Sequence, residues 1–218
     1  MKKYLLTLLV AATTIILVGC TTNNQKEKST EKQLKTGIQN VIEYKSNGKA
    51  VKDKSVLGDN VLIFSPKDDA SDIQKKLDEI YNIQERNQFG DERYAIAFMP
   101  GDYGKSLQVN VGYYTQVLGL GVLPTDTNIN KLWVDASWMN HNATCNFWRG
   151  AENFSINEYC MWANSQAVSL RRINSEDGIV LSDGEGWSSG GFMADSKFNG
   201  NVSSGSQQQY LCRNDEWN

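Results

Sequence analysis

The chain is 218 residues long, with 22 basic and 25 acidic residues and a formal net charge of −3. This acidic balance argues against nucleic acid as a partner. The single histidine, His141, lies in a polar stretch, which argues against Ser-His-Asp or Cys-His catalysis. The sequence has no Cys/His cluster with zinc spacing and no glycine-rich loop before a helix, so we expect no metal and no other cofactor.

The first 20 residues have the layout of an export signal. A basic start, Lys2 and Lys3, precedes an apolar run over residues 4–18, which is short for a membrane span. The run ends in Leu-Val-Gly-Cys at Cys20 and resembles the lipobox of bacterial lipoproteins. The resemblance implies a signal peptide over residues 1–19, palmitate-type acylation of Cys20 and a location on the outer face of the cell membrane. An uncleaved hydrophobic anchor is the alternative.

Residues 20–37 are predicted to be the lipidated cysteine and a tether, because the segment is polar and has no apolar period. Residues 38–218 are predicted to form one domain. Its first clear element is a strand over Asn60–Phe64, bounded by Ser65 and Pro66.

An amphipathic helix is predicted over residues 69–81. Its apolar side chains recur on one face, at Ile73, Leu77, Ile80 and Tyr81. Ser71 and Gln74 have the spacing of a capping box at its start.

A Pro-Gly turn follows the next strand. Pro100 and Gly101 break the segment Phe98–Tyr103, and a second apolar strand is predicted over Val109–Leu120. The helix, the turn and the strand in this order resemble the entrance of the right-handed parallel β-helix proteins of the pectate-lyase superfamily. The resemblance implies an all-β fold, a right-handed parallel β-helix with an N-terminal capping helix.

Later strands recur at intervals of roughly 20 residues, which is typical of β-helix rungs. The positions that mark this recurrence are Arg149, Arg171, Met193 and Cys212. An antiparallel sandwich is the alternative. No cap follows Cys212, so we expect an incomplete coil, either the N-terminal part of a longer protein or one that a partner completes.

Several short blocks are more specific than a generic β-helix. They are Asn87–Gly90, Val111–Gly121, Asn146–Arg149, Ala151–Asn153, Gly186–Ser196 and Ser204–Gln209. They resemble exported bacterial proteins similar to family 55 of the glycoside hydrolases, the β-1,3-glucanase β-helices, which often carry discoidin-type (coagulation factor 5/8 type) modules. The resemblance implies a glycan as partner, although a fold does not fix activity.

Glycoside hydrolysis requires two carboxyl groups. The candidates are Asp195, Asp183, Glu185 and Glu152. Asp195 lies on a strand beside two glycines, and Asp183 and Glu185 are expected to face the same groove one rung away, at about 5 Å. Ordinary turn chemistry is the alternative for these residues, and Glu152 has an alternative role in an ion pair with Arg149 or Arg171.

The predicted sugar-binding residues are Trp187, as a stacking platform, and Gln207 and Gln209, as amide donors. A structural ladder of stacked polar side chains is the alternative for the two glutamines. Trp148 is expected to belong to the core.

Three cysteines remain in the exported domain. Cys145 and Cys160 are the nearest pair for a disulfide, and burial of all three, with Cys212, as small apolar residues is the alternative.

The sequence thus favours a surface lipoprotein that acts on carbohydrate, glycoside hydrolase-like. A non-catalytic carbohydrate-binding or adhesive protein is the alternative. A polysaccharide lyase with Arg171 or Arg172 as base and aspartates on Ca²⁺ is less favoured, because no dense aspartate cluster occurs.

Overall fold

The computed structural model describes residues 57–217. The lipobox, Cys20, the tether and the start of the predicted domain lie outside the described residues. From Asp59 onward the described chain belongs to one compact unit. None of the helices in the described part is long and apolar enough to cross a membrane.

Each turn of the main chain passes through three faces of parallel strands. The front sheet contains β1 (Val61–Phe64), β2 (Tyr94–Phe98), β5 (Thr115–Gly119), the first half of β8 (Arg149–Ile156), the first half of β10 (Val168–Ser175), β13 (Phe192–Ala194) and β17 (Leu211–Arg213). Every pair of neighbours in it is parallel. The fold is therefore the expected right-handed parallel β-helix, and not an antiparallel sandwich.

Two further faces close each rung. The second face contains β3 (Gly101–Asp102), β6 (Thr127–Ile129), the second halves of β8 and β10, β14 (Lys197–Phe198) and β18 (Glu216–Trp217). The third contains β4 (Gln108–Asn110), β7 (Lys131–Val134), β9 (Cys160–Trp162), β11 (Ile179–Val180) and β15 (Val202–Ser203). A small outer pair, β12 (Ser188–Ser189) and β16 (Gln207–Gln208), lies apart from these faces. Short 3-10 helices occur at Pro124–Asp126, Ser137–Met139 and Ala143–Cys145.

Left-handed backbone residues form the corners of the front sheet. The entrance corner, which precedes the front strands, is occupied from β5 onward by Tyr114, Trp148, Ala167, Gly190 and Gln209, all with φ between 52° and 88°. The second corner, which follows the front strands, is occupied by Asn153, Arg172, Asp195 and Asn214, with φ between 51° and 66°. The strand register places each set in one column. The same turn at the same position on each rung keeps successive rungs superimposed.

The helix α1 (Ala70–Gln84) covers the first rung, as expected for a cap. Its start differs from the predicted capping box. Asp69 is the N-cap and accepts hydrogen bonds from the Ser71 and Asp72 amides, while the Gln74 side chain pairs with the backbone of Gln108 on β4. A carboxylate at the N-cap satisfies the first amides, which leaves Gln74 to join the helix to the coil.

The Pro-Gly turn has the predicted role of starting the first full rung. Gly101 has φ 145°, and a Cβ at this position would stand 2.5 Å from Pro66 Cγ. The Tyr103 hydroxyl donates to the carbonyls of Phe64 and Met99 at 2.8 and 2.9 Å. The turn thus ties β1 to the second face.

A column of apolar side chains fills the coil behind the front sheet. Ile96, Val117, Ala151, Leu170 and Met193 are in register and at most 1% exposed. Complete burial of an Ile, Val, Leu or Met side chain contributes about 1.5–3 kcal/mol. Cys212 continues the column on the last rung and is exposed.

The predicted 20-residue recurrence is only partly in register. Met193 pairs with Cys212, but Arg149 pairs with Val168 and Arg171 with Glu152. The two arginines are therefore not equivalent, and Arg149 is buried at 2% exposure.

The cysteines of the described residues are free. Cys145 is half-buried, Cys160 is buried and Cys212 is exposed. The predicted Cys145–Cys160 disulfide is absent from this structure, and the alternative of burial fits Cys160 alone. Burial also raises the pKa of the Cys160 thiol above its ordinary value.

Candidate functional site

Two of the predicted carboxylates meet at one arginine on the outer side of the front sheet. Arg171 Nη1 lies 3.3 Å from Glu152 Oε1, and Arg171 Nη2 lies 3.5 Å from Asp195 Oδ2. All three side chains are about two-fifths exposed. The strand register explains the arrangement, because Glu152 and Arg171 are paired on neighbouring rungs and Asp195 follows the partner of Arg171 on the next. The predicted pairing of Glu152 with Arg171 is therefore present.

Asp195 is held in its ionised form. The Asn214 amide donates to Asp195 Oδ1 at 3.1 Å and lowers the pKa of this carboxyl, and Arg171 lowers it further. A carboxylate that stays ionised at neutral pH suits the role of base or nucleophile, whereas a general acid requires a raised pKa.

Asp215 has the opposite environment on the last rung. Burial raises its pKa, and the nearby charge of Asp195 raises it further, although the amides of Ser196 and Arg213 donate to its two oxygens and act against this. Two neighbouring carboxyl groups with pKa values shifted in opposite directions are typical of acid–base pairs. Asp215 was not among the residues predicted from the sequence. Its position about one rung of 20 residues after Asp195 could have indicated that the two carboxylates lie close together.

Asp183 lies in a different part of the coil from Asp195. Asp183 Oδ2 accepts the Ala136 amide at 2.8 Å and lies 3.0 Å from His141 Nδ1. The Asp183 side chain is 10% exposed and the His141 side chain 57%. Within residues 57–217, Asp183 and Asp195 share no hydrogen-bonding partner, so their common groove stays a prediction.

The loop that follows Asp183 presents two of the predicted residues to solvent. Trp187 is 71% exposed and Glu185 is exposed. The Ala143 amide donates to the Trp187 carbonyl at 2.7 Å, and Gly186 packs against the His141 carbonyl so closely that a Cβ would clash. The tryptophan therefore stands on a fixed backbone, as a stacking platform requires.

The predicted glutamines differ from each other in setting. Gln207 is half-buried, and its Nε2 donates to the carbonyls of Asn164 and Leu181 at 3.0 and 3.2 Å. Gln207 therefore has the structural role that was the alternative to sugar binding, since its amide is engaged by the backbone. Gln209 is exposed at the entrance corner, where its side chain faces solvent.

The entrance corner also contains an aromatic group that sequence analysis missed. The Tyr114 and Trp148 rings lie 5.9 Å apart, and Arg93 Cζ lies 3.5 Å from the Tyr114 ring centroid. The expectation that Trp148 belongs to the core is wrong, since it is 52% exposed. Its left-handed backbone turns the chain at the corner, and the following residue, Arg149, takes the inward position.

No group of three or more potential metal-binding side chains occurs within the described residues. The features that the geometry brings together are therefore the carboxylates around Arg171, the loop with Trp187, and the aromatic row at the entrance corner. All three are compatible with a ligand that offers hydroxyl groups and an apolar ring face.

Comparisons with known proteins agree with this picture. No protein-family model matches the chain. An exo-beta-1,3-glucanase from Streptomyces sp. (strain SirexAA-E / ActE) is 48% identical over 162 residues, which cover 72% of this chain and 26% of the relative. The chain thus spans about a quarter of the length of that relative.

Solved structures give the same similarity. The structure of sacteLam55A from Streptomyces sp. SirexAA-E matches with a TM-score of 0.69 and 45% identity, over 75% of this chain and 30% of that chain. A variant of the same protein in complex with glucose matches with a TM-score of 0.69 and 46% identity, over the same shares. These matches support the predicted resemblance to β-1,3-glucanase β-helices.

Proposed function

We propose that this chain is a glycoside hydrolase-like β-helix that acts on carbohydrate, and that a β-1,3-glucan is its substrate. The 48% identity to an exo-beta-1,3-glucanase over most of the chain is the observation that carries the proposal. Identity at this level extends to the arrangement of the rungs, as the TM-score of 0.69 shows.

The carboxylates of the last rungs supply the chemistry of this proposal. Asp195 acts as the base or nucleophile, because Asn214 and Arg171 keep it ionised. Asp215 is the proposed acid, because it lies one rung beyond Asp195 and burial shifts its pKa upwards. Arg171 fixes the position of Asp195 relative to Glu152. Proton donation to the leaving oxygen and attack from the opposite side then follow the usual two-carboxyl scheme.

Carbohydrate binding without hydrolysis is the second candidate. The observation that favours it is the ion pairing of Glu152 and Asp195, which engages both carboxylates with Arg171. In that case the exposed Trp187 and Gln209 bind the glycan, and no pair of carboxyl groups cleaves it.

Reducing-sugar release from laminarin, a soluble β-1,3-glucan, separates the two candidates. We expect release by the purified full chain and loss of at least about 100-fold in Asp195→Asn. Glu79→Gln is the matched control, because Glu79 is a half-exposed carboxylate on α1 that pairs only with Lys76 among the described residues. Retention on immobilised laminarin without release would favour binding alone. The absence of both release and retention would contradict the proposal.

We also propose that the protein is anchored to the outer face of the cell membrane through acyl chains on Cys20. The support is the lipobox sequence at the N-terminus. This location would hold the coil among extracellular polysaccharides.

A further inference from the structure

A row of ring and guanidinium groups lies on successive rungs at the entrance corner, away from the proposed catalytic carboxylates. Arg93, Tyr114 and Trp148 precede β2, β5 and β8 in register. The Tyr114 ring stands between the Arg93 guanidinium, 3.5 Å from its centroid, and the Trp148 ring at 5.9 Å. The Tyr114 hydroxyl donates to the Gln88 carbonyl at 2.7 Å. The row is therefore fixed before any ligand arrives.

Trp148 ends this row with much of its surface uncovered. The same corner on the next two rungs holds Ala167, which is exposed, and Gly190, which has no side chain. Trp148 itself is 52% exposed and has φ 56°. The left-handed backbone is common to this corner, so the large uncovered ring, and not the backbone, distinguishes Trp148 from Ala167 and Gly190.

A cavity of about 410 Å³ lies beside the row, within the size range of small-ligand sites. Its lining includes Tyr114, Trp148 and Ala95, whose side chains are largely apolar, and Asn60 and Gln116, whose side chains carry amides. Of the described residues that line it, none is a carboxylate, and the one charged group, Arg93, donates to the carbonyls of Gly90 and Glu92. This lining suits a neutral ligand with an apolar face and a polar edge.

We propose that this cavity is a carbohydrate-binding subsite in which a pyranose ring stacks on Trp148 while its hydroxyl groups hydrogen-bond with the amides of Gln116 and Asn60. A sugar ring has the required apolar face and hydroxyl edge, and a rigid aromatic platform binds it at little cost in conformational entropy. The inference rests on the proposed function, which identifies the glycan as a β-1,3-glucan.

The corner column also contains one of the predicted sugar-binding residues. Gln209 occupies the same corner three rungs from Trp148, a distance of about 14 Å at about 4.8 Å per rung. Only Ala167 and Gly190 stand between them in the column. A glucan of several sugar units with one ring stacked on Trp148 is long enough to reach Gln209.

The test is isothermal titration calorimetry of the purified full chain with laminarihexaose. We expect Trp148→Ala to weaken binding at least about tenfold, the effect of losing a central aromatic contact. Ala167→Lys keeps the tryptophan and fills the space beside it, so it should weaken binding similarly. Val122→Ala, at an 85% exposed position in another loop, should bind as the unchanged chain does.

Each outcome decides between the two proposals. If the unchanged chain binds no β-1,3-glucan, both the function and the subsite are wrong. If it binds and neither Trp148→Ala nor Ala167→Lys weakens binding, only the subsite is wrong. If Trp148→Ala instead abolishes self-association in sedimentation at unchanged glucan affinity, the face is a protein interface and the subsite is wrong. If Trp148→Ala does not fold, Ala167→Lys decides.

Discussion

Asp183 Oδ2 lies 3.0 Å from His141 Nδ1, in the only contact that joins the lone histidine of the chain to a carboxylate of the described residues. The same oxygen accepts the Ala136 amide at 2.8 Å. These two contacts join the loop after β7 to the loop after β11, on which Trp187 stands, and the carboxylate between the loops is only 10% exposed. A residue predicted to be catalytic thus has a visible structural role.

Asp183→Ala is expected to destabilise the protein by about 1–3 kcal/mol, because it leaves the buried Ala136 amide without an acceptor. Glu185→Ala, two residues along the same loop and exposed, should change stability by no more than about 0.5 kcal/mol. Urea denaturation followed by circular dichroism measures both. Equal effects of the two variants would contradict the structural role of Asp183.

Arg149 provides a second test of the interior. Its guanidinium is buried and donates to the carbonyls of Val111 and Phe147, at 2.7 and 3.2 Å, and burial lowers its pKa to about 10. Arg149→Ala should cost about 3 kcal/mol or more, because at least one buried carbonyl loses its donor and a cavity forms. Arg213→Ala, at an exposed site on β17, is the control. A melting temperature of Arg149→Ala equal to that of the control would contradict this account.

The sequence predicted the parts of the fold that have long or specific signals. The helix has a full apolar stripe at Ile73, Leu77 and Ile80. The Pro-Gly turn requires a glycine, because Gly101 has a positive φ and packs against Pro66. The strands of the third face were mostly missed. Cys160–Trp162 and Ile179–Val180 are too short for alternation of apolar and polar residues to mark them.

Site residues were harder to predict because the corners change which way a side chain points. Trp148 and Arg149 are adjacent, yet the tryptophan is half-exposed and the arginine is buried, the reverse of their ordinary preferences. A left-handed residue at the corner causes the reversal, and nothing in the local sequence reveals it because Trp is not a typical residue at positive φ.

The Pro-Gly turn gives a prediction that compares two glycines. Gly101→Ala should destabilise the protein by more than about 2 kcal/mol, because the new Cβ would clash with the Pro66 ring on a backbone with φ 145°. Gly184→Ala has φ 57° and no atom within 4 Å of the new Cβ, so its cost should be only about 1 kcal/mol. Thermal unfolding of the two variants gives the comparison, and a larger loss for Gly184→Ala would contradict it.

The proposed anchor predicts a simple change in cell fractionation. Cys20→Ala removes the acceptor of the acyl chains, so the protein should lose metabolic labelling with palmitate and leave the membrane fraction. Cys212→Ala, which removes an exposed thiol on the last rung, should keep both. Persistent labelling of Cys20→Ala would show that the lipobox prediction is wrong.

The lowered pKa of Asp195 predicts how the effect of Asp195→Asn on stability depends on pH. Because the folded-state pKa lies below the unfolded value of about 3.9, the ionised carboxylate stabilises the fold above that value, and this contribution is lost as the pH falls through the folded pKa. The unchanged chain should therefore melt at a higher temperature than Asp195→Asn at pH 7, with the difference shrinking at pH 3. Asp91→Asn, at an exposed position before β2, controls for general acid effects. A difference that is the same at both pH values would mean that the contacts of Asp195 with Asn214 and Arg171 do not depend on its charge.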